Sequence, residues 1–545
     1  MHKATERISL IFIGLFFCTL LSGVVIPLYS DEIVSKWSVS RFFLENQELV
    51  SFFPQCTTMS DRAVSWAFYP AASFISATYG HFGPLGIRIS GLVLTLTWFG
   101  LIAFWCHKQT QDKTSAIKLM AIFIVFPALG VLPYLLILSR SEQFMTLPIL
   151  FFCLTACYFK NEKTLEKQGL SSLLLALVLS CFFYVHPKSL FFLPFIIVAL
   201  WWTTETYHKL IRFALLAYTL VLFAQVLHES NAIAACKDAP AMQALLAANT
   251  LLPGMLISSP LEFLSAASNN LLNFPEKLLT HLTFNATSQS GWLPPIESNG
   301  AGLPYLNSTI KYVLYTFIIG THLASLLALV INIARRKFSR PILLAASLAS
   351  ADIFNALFFN IQNFYSATQF LPISIILAAL LVQSLSRPKW HRYVTRLFLV
   401  TLILPVFSMT TLLTDVFPAL LKNSSSTTAA LPGQPLSIPV FNVQAHLESI
   451  EKLGASCRLS PENTKNLVVD HMTYFAYLNA KKPIHVLYVS EFGYGGDLNN
   501  GRLLPFLKKL DSPGLISRCE WVPLAFRRVQ KSDDMGYCCV NLNDL

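Results

Sequence analysis

The feature that most constrains this chain is the recurrence of long apolar runs. Eleven of them are legible, at residues 8–29, 86–106, 117–138, 143–159, 170–185, 189–204, 209–228, 311–333, 341–360, 368–386 and 393–415. A helix of about 20 apolar residues crosses a hydrocarbon core of roughly 30 Å, and it satisfies every backbone polar group within the segment. Composition agrees: 54% of the 545 residues are hydrophobic and 13% are charged, against about a quarter charged in an ordinary soluble domain, and the mean hydropathy is +0.54. A soluble enzyme and a disordered protein are both excluded. The expected fold is a polytopic α-helical membrane protein with about eleven transmembrane helices. Only His186, Pro187 and Lys188 separate the fifth and sixth runs, which read as a tight hairpin, with a re-entrant pair as the alternative.

Orientation follows from the short loops, because Lys and Arg are retained on the cytoplasmic side during insertion. With the N-terminus inside, one set of short loops holds Lys108, Lys113, Lys160, Lys163, Lys167, Arg335, Arg336, Lys337, Arg340, Arg387, Lys389 and Arg392. The opposite set holds only Arg140 and Lys188. The expectation is therefore a multi-pass protein of the cell (inner) membrane with a cytoplasmic N-terminus and a periplasmic or otherwise extracytoplasmic C-terminus. The basic stretch Met1 to Arg7 precedes an apolar run with no small-residue cleavage site before Ser30, which reads as a retained first helix and not a signal peptide. The formal charge of +11, from 40 Lys plus Arg against 29 Asp plus Glu, is thus mostly an insertion signal, and no nucleic-acid partner is expected.

Two domains follow: a membrane domain over 1–415, with outer loops 30–85 and 229–310, and a small outer α/β domain over 416–545. The first loop interleaves polar residues with Trp37, Phe42, Phe43, Phe52 and Phe53, a pattern of amphipathic helices at the membrane interface. The second loop has a helical first half, followed by a Gly/Pro-rich stretch around Trp292. In the C-terminal domain, 467–470 and 484–490 read as buried strands, 471–480 and 502–510 as helices, and 536–542 as a closing strand. Cys56, Cys236, Cys457, Cys519, Cys538 and Cys539 fall outside the membrane, and a bond from Cys457 or Cys519 to the Cys538/Cys539 pair is expected.

Few charges are placed where they could do chemistry. Asp31 and Glu32 stand just beyond the first span, where paired carboxylates have their pKa values pushed apart and can serve as base and partner; the bland alternative is two solvated charges ending a helix. The next outer turns carry Arg140 with Glu142, and His186 with Lys188. Carboxylates facing cations at membrane level suit a substrate with a phosphate beside a reacting carbon. Against that stand an interfacial ion pair of little value and a helix-end histidine. Asp352 lies within the ninth span, where a carboxylate costs a few kcal/mol and faces a cavity or a partner. It reads as a packing residue or the lining of a polar channel.

The order of these features resembles the type C glycosyltransferase superfamily, in particular the branch of protein O-mannosyltransferases and lipid A aminoarabinose transferases. Tyr29-Ser-Asp31-Glu32 stands where that family carries its outer acidic motif. Phe68-Tyr69-Pro70 through Gly80 to Arg88 is similar to its Tyr-Pro stretch and Phe-Gly turn, Ser139-Arg140-Ser141-Glu142 to its Arg-x-Asp/Glu turn, and His186-Pro-Lys188 to the basic turn after it. The likeness spans about 8–200 and, more faintly, 361–386. It departs at Thr368-Gln369-Phe370-Leu371-Pro372, where many relatives place an arginine that holds the donor phosphate. Gln369 is uncharged, so that clamp shifts to Arg62, Arg140 or Lys188, or the donor differs.

The resemblance implies an inverting transfer of a sugar from a polyprenyl-phosphate donor to an acceptor, glycan, lipid or protein, on the outer face, with membrane lipid around the site. Asp31 would take or orient the acceptor proton. Tyr69, the basic residues and Gln369 would hold substrate. Glu32 and Glu142 would bind sugar hydroxyls or a divalent metal, which the sequence does not separate, and the stretch around Trp292 would act as a lid. The competing classes are a transporter or flippase of lipid-linked sugars, with Asp352 in its path, and a non-catalytic scaffold.

Overall fold

Proline and glycine decide where the apolar runs of this chain become helices. The computed structural model describes residues 2–28, 32, 82–110, 112–138, 140–159, 164–234, 247–252, 254–284, 303–337, 339–362, 366–384, 401–424, 439–441, 443–462, 464–470, 472–477, 480, 484–485 and 503–545. Seven helices among them are long and apolar enough to cross a membrane, which makes the chain a multi-spanning membrane protein. They correspond to α1 (His2–Ser22, with its apolar run continuing to Val25), α2 (Pro84–Thr110), α6 (Leu165–Val185), α8 (Lys209–Ala234), α11 (Leu303–Ala334), α12 (Arg340–Phe358), and a run from Ile403 to Lys422 that comprises α14 (Ile403–Thr411), a π turn at Leu412–Val416 and the start of α15 (Phe417–Ser424). Three shorter apolar helices are α5 (Ser141–Tyr158), α7 (Leu193–Thr203, entered through a 3-10 turn at Pro187–Phe192) and α13 (Ala367–Ser384).

The third apolar run, expected as one span over 117–138, is in two pieces. Helix α3 (Lys113–Val125) stops before Phe126-Pro127, and α4 (Leu132–Leu136) is a single short helix with Pro133 in its first turn. Pro127 lacks the N–H that a continuing helix needs and disfavours helix at the residue before it. Gly130 has φ +56°, and a Cβ there would collide with the carbonyl of Leu282. The backbone groups freed by the break are taken up locally, since Gly130 N donates to Ser408 Oγ at 2.7 Å and Val131 N to Leu282 O at 3.1 Å.

The described chain divides into two compact units, Met1–Val24 with Ile89–His228 and Asn249–Ala419, and Val25–Arg88 with Glu229–Ala248 and Leu420–Leu545. In the first unit α12 is central: it packs on α11, α13, α7 and the 3-10 turn before α7, and on α10 (Pro260–Thr280), which follows the one-turn helix α9 (Met255–Ser258). Its inner face is apolar apart from Asp352 and Asn355.

In the second unit a five-stranded sheet has the order β2-β1-β3-β5-β4, from β1 (Val468–Val469), β2 (Ile484–His485), β3 (Gly514–Arg518), β4 (Lys531–Ser532) and β5 (Tyr537–Asn541). Strand β1 runs parallel to β2 and β3, while β5 is antiparallel to β3 and β4. Side chains alternate across it. Val469, Ile516 and Cys539 face a core with Ile450 and Leu453 of α16 (Gln444–Ser456) and with α17 (Thr473–Ala476). Val468, Leu515 and Val540 face Trp521, Phe526 and Leu507 of α18 (Leu503–Lys509). Leu28 and Ile87 join the first of these cores. The expected cysteine pairing is present as two bridges, Cys457–Cys539 and Cys519–Cys538. Strand β3 and helix α16 were not foreseen from the sequence.

Candidate functional site

Within the first unit, three basic side chains converge on one carboxylate. Arg140 is extended (φ −105°, ψ 148°) and caps α5, so Glu142 falls in the helix's first turn, where the helix dipole favours an anion. Its carboxylate is fully buried. Oε2 lies 3.7 Å from Arg140 Nε, and Oε1 lies 3.5 Å from both His186 Nε2 and Lys188 Nζ. Arg140 and Lys188 are themselves buried. Pro187 opens the 3-10 turn that follows α6, and His186 Nδ1 accepts the Lys188 backbone N–H at 3.0 Å. That bond places the proton of a neutral His186 on Nε2, toward Glu142. Lys188 Nζ also stands 5.0 Å over the Phe359 ring, a cation–π contact that anchors the ammonium to the end of α12.

A second polar centre lies deeper, among α11, α12 and α13. Asp352 is fully buried, with Oδ2 3.0 Å from His322 Nε2 and Oδ1 accepting from Gln369 Nε2 at 2.7 Å. The other ring nitrogen of His322 is 2.7 Å from Ile318 O, so Nδ1 donates to that carbonyl. The Asp352 carboxyl is thus held between the His322 ring and the Gln369 amide. Gln369, placed on the substrate by the sequence, is spent at least in part on this carboxylate. His322 was not singled out in advance, although an ionisable residue inside a span was a signal available for it.

In the second unit Glu32 Oε1 meets Arg88 Nη2 at 3.1 Å, both side chains fully buried, and the same nitrogen donates to Pro27 O at 3.0 Å and Ile26 O at 3.2 Å. This clamp ties the segment after α1 to the start of α2. Asp31, Arg62, Tyr69 and the stretch around Trp292 lie outside the described residues. The structure therefore brings Arg140, Glu142, His186 and Lys188 together and puts Gln369 with Asp352.

No three His, Cys, Asp or Glu side chains come together as a metal site among the described residues. Glu142 is surrounded by basic groups and Glu32 is paired with Arg88.

No protein-family model matches the chain, and no curated protein matches its sequence. Among solved structures it is similar to the crystal structure of ArnT from Cupriavidus metallidurans bound to undecaprenyl phosphate, at 12% identity over 98% of this chain and 97% of that one, with a TM-score of 0.47. Likeness at that distance carries no residue roles from one chain to the other.

Proposed function

We propose that this protein is an inverting glycosyltransferase that moves a sugar from a polyprenyl-phosphate carrier to an acceptor hydroxyl on the outer face of the membrane. The observation that carries the reading is the convergence of Arg140, His186 and Lys188 on the buried Glu142. Basic donors with little water around them suit a phosphate monoester, whose charge grows as it leaves. A lipid-linked donor also explains why such a cluster belongs at the ends of membrane helices.

In this reading the acceptor oxygen attacks the anomeric carbon from the face opposite the phosphate. The C1–O(phosphate) bond breaks with its electron pair going to the phosphate oxygen, and the acceptor proton passes to a carboxylate. Asp31 is the proposed proton acceptor, on the sequence argument alone. Glu32, held by Arg88, would fix the backbone that carries Asp31, and Glu142 would keep the basic groups oriented between turnovers. Arg62 and Tyr69 stay substrate-binding candidates from the sequence.

The reading is tested with the full chain in lipid nanodiscs. Binding of a polyprenyl phosphate, compared with the neutral polyprenol, should depend on the phosphate and weaken in Lys188→Met. Transfer from a lipid-linked sugar should be lost in Asp31→Asn at unchanged protein abundance. Equal binding of alcohol and phosphate would sink the phosphate assignment, and wild-type transfer in Asp31→Asn would sink that of the base.

A further inference from the structure

Helix α10 is too polar to be a span, yet its exposed surface is not uniformly polar. At 3.6 residues per turn its side chains fall into three sectors. One is buried against the first unit through Phe263, Ala267, Asn270, Phe274 and Leu278. A second carries Glu262, Asn269, Asn273 and Glu276. Between them runs a third, with Leu261 81%, Leu264 57% and Leu272 80% exposed beside the small exposed Ser265 and Ser268; Ile257 of α9, 88% exposed, precedes it, and it ends at Leu279, which is buried. Two sectors would suffice for a helix lying on a protein surface in water. A third, exposed and carrying large leucines with only two small serines among them, is what a helix shows when it lies between protein, water and lipid.

The level of α10 is fixed by its contacts. Asn270 Nδ2 donates to Leu357 O at 3.0 Å and Asn360 Oδ1 at 2.8 Å, and Lys277 Nζ to Asn360 O at 2.7 Å, so the helix rests on the end of α12 where Lys188 covers Phe359. Phe274 packs edge-on against Phe370 at the start of α13, with ring centroids 4.5 Å apart. Glu276 pairs with Lys311 near the start of α11. That part of α11 exposes Tyr305, Tyr312 and Tyr315 at 79%, 72% and 45%, the residue type that gathers at headgroup level. Helix α10 is thus tied to a tyrosine belt and to the ends of two apolar helices.

We propose that α9 and α10 lie in the membrane interface at the Lys188 end of the bundle, with Ile257, Leu261, Leu264 and Leu272 inserted among the acyl chains of that leaflet. The exposed row then continues the lipid-facing surface of the spans, and the polar sector faces water. This placement holds whatever reaction the protein performs.

Site-specific photocrosslinking tests it. The photoreactive residue p-benzoylphenylalanine is placed at Leu261 or Leu272, and for comparison at Glu262 or Asn273, in the full chain reconstituted in phosphatidylethanolamine/phosphatidylglycerol vesicles. Mass spectrometry after irradiation should find phospholipid adducts several-fold more abundant at 261 and 272 than at 262 and 273. Equal adducts at all four positions, none at 261 and 272, or a dominant adduct to a second copy of the chain would each overturn the proposal. Wild-type thermal stability of each labelled chain is the check that α10 is intact.

Discussion

Neutralising Glu142 and removing Lys188 should move the affinity for a lipid phosphate in opposite directions. Glu142 Oε1 lies 3.5 Å from Lys188 Nζ and from His186 Nε2. At an effective dielectric constant near 20, unit charges at that separation interact by about 5 kcal/mol before desolvation is counted, and a hydrogen bond to a charged group keeps about 1.5–3 kcal/mol net. A phosphate entering this cluster gains from the ammonium and is repelled by the carboxylate. Lys188→Met should therefore weaken polyprenyl phosphate binding about 10- to 100-fold, taking 1.4 kcal/mol per tenfold. Glu142→Gln keeps the shape, removes the repulsion and leaves the basic groups facing the ligand, so binding should tighten severalfold while transfer slows because those groups lose their alignment. Titration of nanodisc-embedded protein with polyprenyl phosphate and with polyprenol reads both effects. The reasoning fails if the two substitutions weaken phosphate binding alike, or if the neutral alcohol responds as the phosphate does.

Three more perturbations have expected outcomes. Asp352→Leu should destabilise the chain by about 3–5 kcal/mol, because it leaves His322 and the Gln369 amide buried without their carboxylate; the double change with His322→Leu should recover part of that loss in detergent unfolding, and strictly additive losses would argue against coupling. Non-reducing mass spectrometry should find Cys457–Cys539 and Cys519–Cys538, which close 82- and 19-residue separations and by chain entropy stabilise by about 4.5 and 3 kcal/mol; an unchanged unfolding midpoint after reduction would contradict this. Burial and then the nearby Arg518 push the His446 imidazole below its ordinary value, against the pull of Asp533. The unfolded chain then binds the proton more readily, so stability is full above pH about 6.5 and falls as pH drops below it. Hydrogen exchange over 440–545 should show that slope, and its persistence in His446→Gln would place its origin elsewhere.

How much of this was legible in the sequence depends on how local each determinant is. The apolar runs at α1, α2, α6, α8, α11 and α12 were visible because hydropathy over about 20 residues is a local property. The break at Phe126–Val131 was written in Pro127 and Gly130, yet the composition of 117–138 stays apolar across it, and hydropathy alone smooths over the interruption. In the sheet, β1 and β5 stood out as apolar runs between turn residues. Strand β3, with Gly514 at its start and Ser517 and Arg518 at its end, gives no such run. Its place between β1 and β5 is fixed by pairing with residues 47 positions away in one direction and 19 to 27 in the other.

The polar residues divide along the same line. Arg140 with Glu142, and His186 with Lys188, sat in two outer turns, so their chemistry could be listed in advance, though their meeting on one carboxylate could not. Asp352 was harder, because the apolar stretches 312–333 and 368–386 hold no Lys or Arg to pair with it. The structure uses His322, 30 positions away, and Gln369, 17 positions away. Lys, Arg and Asp are each costly at the centre of a span, about 2.5–3.5 kcal/mol on insertion scales, whereas a histidine and an amide can enter neutral and hydrogen-bond the carboxyl once packed. That bears on the departure from the family pattern at residue 369. An arginine there would find Asp352 within reach and compete with His322 for it. A glutamine donates one hydrogen bond and leaves the His322–Asp352 pair whole. Position 369 therefore supplies no cation for a phosphate, and phosphate recognition falls to basic groups elsewhere, of which Arg140, His186 and Lys188 are the ones gathered in the described structure.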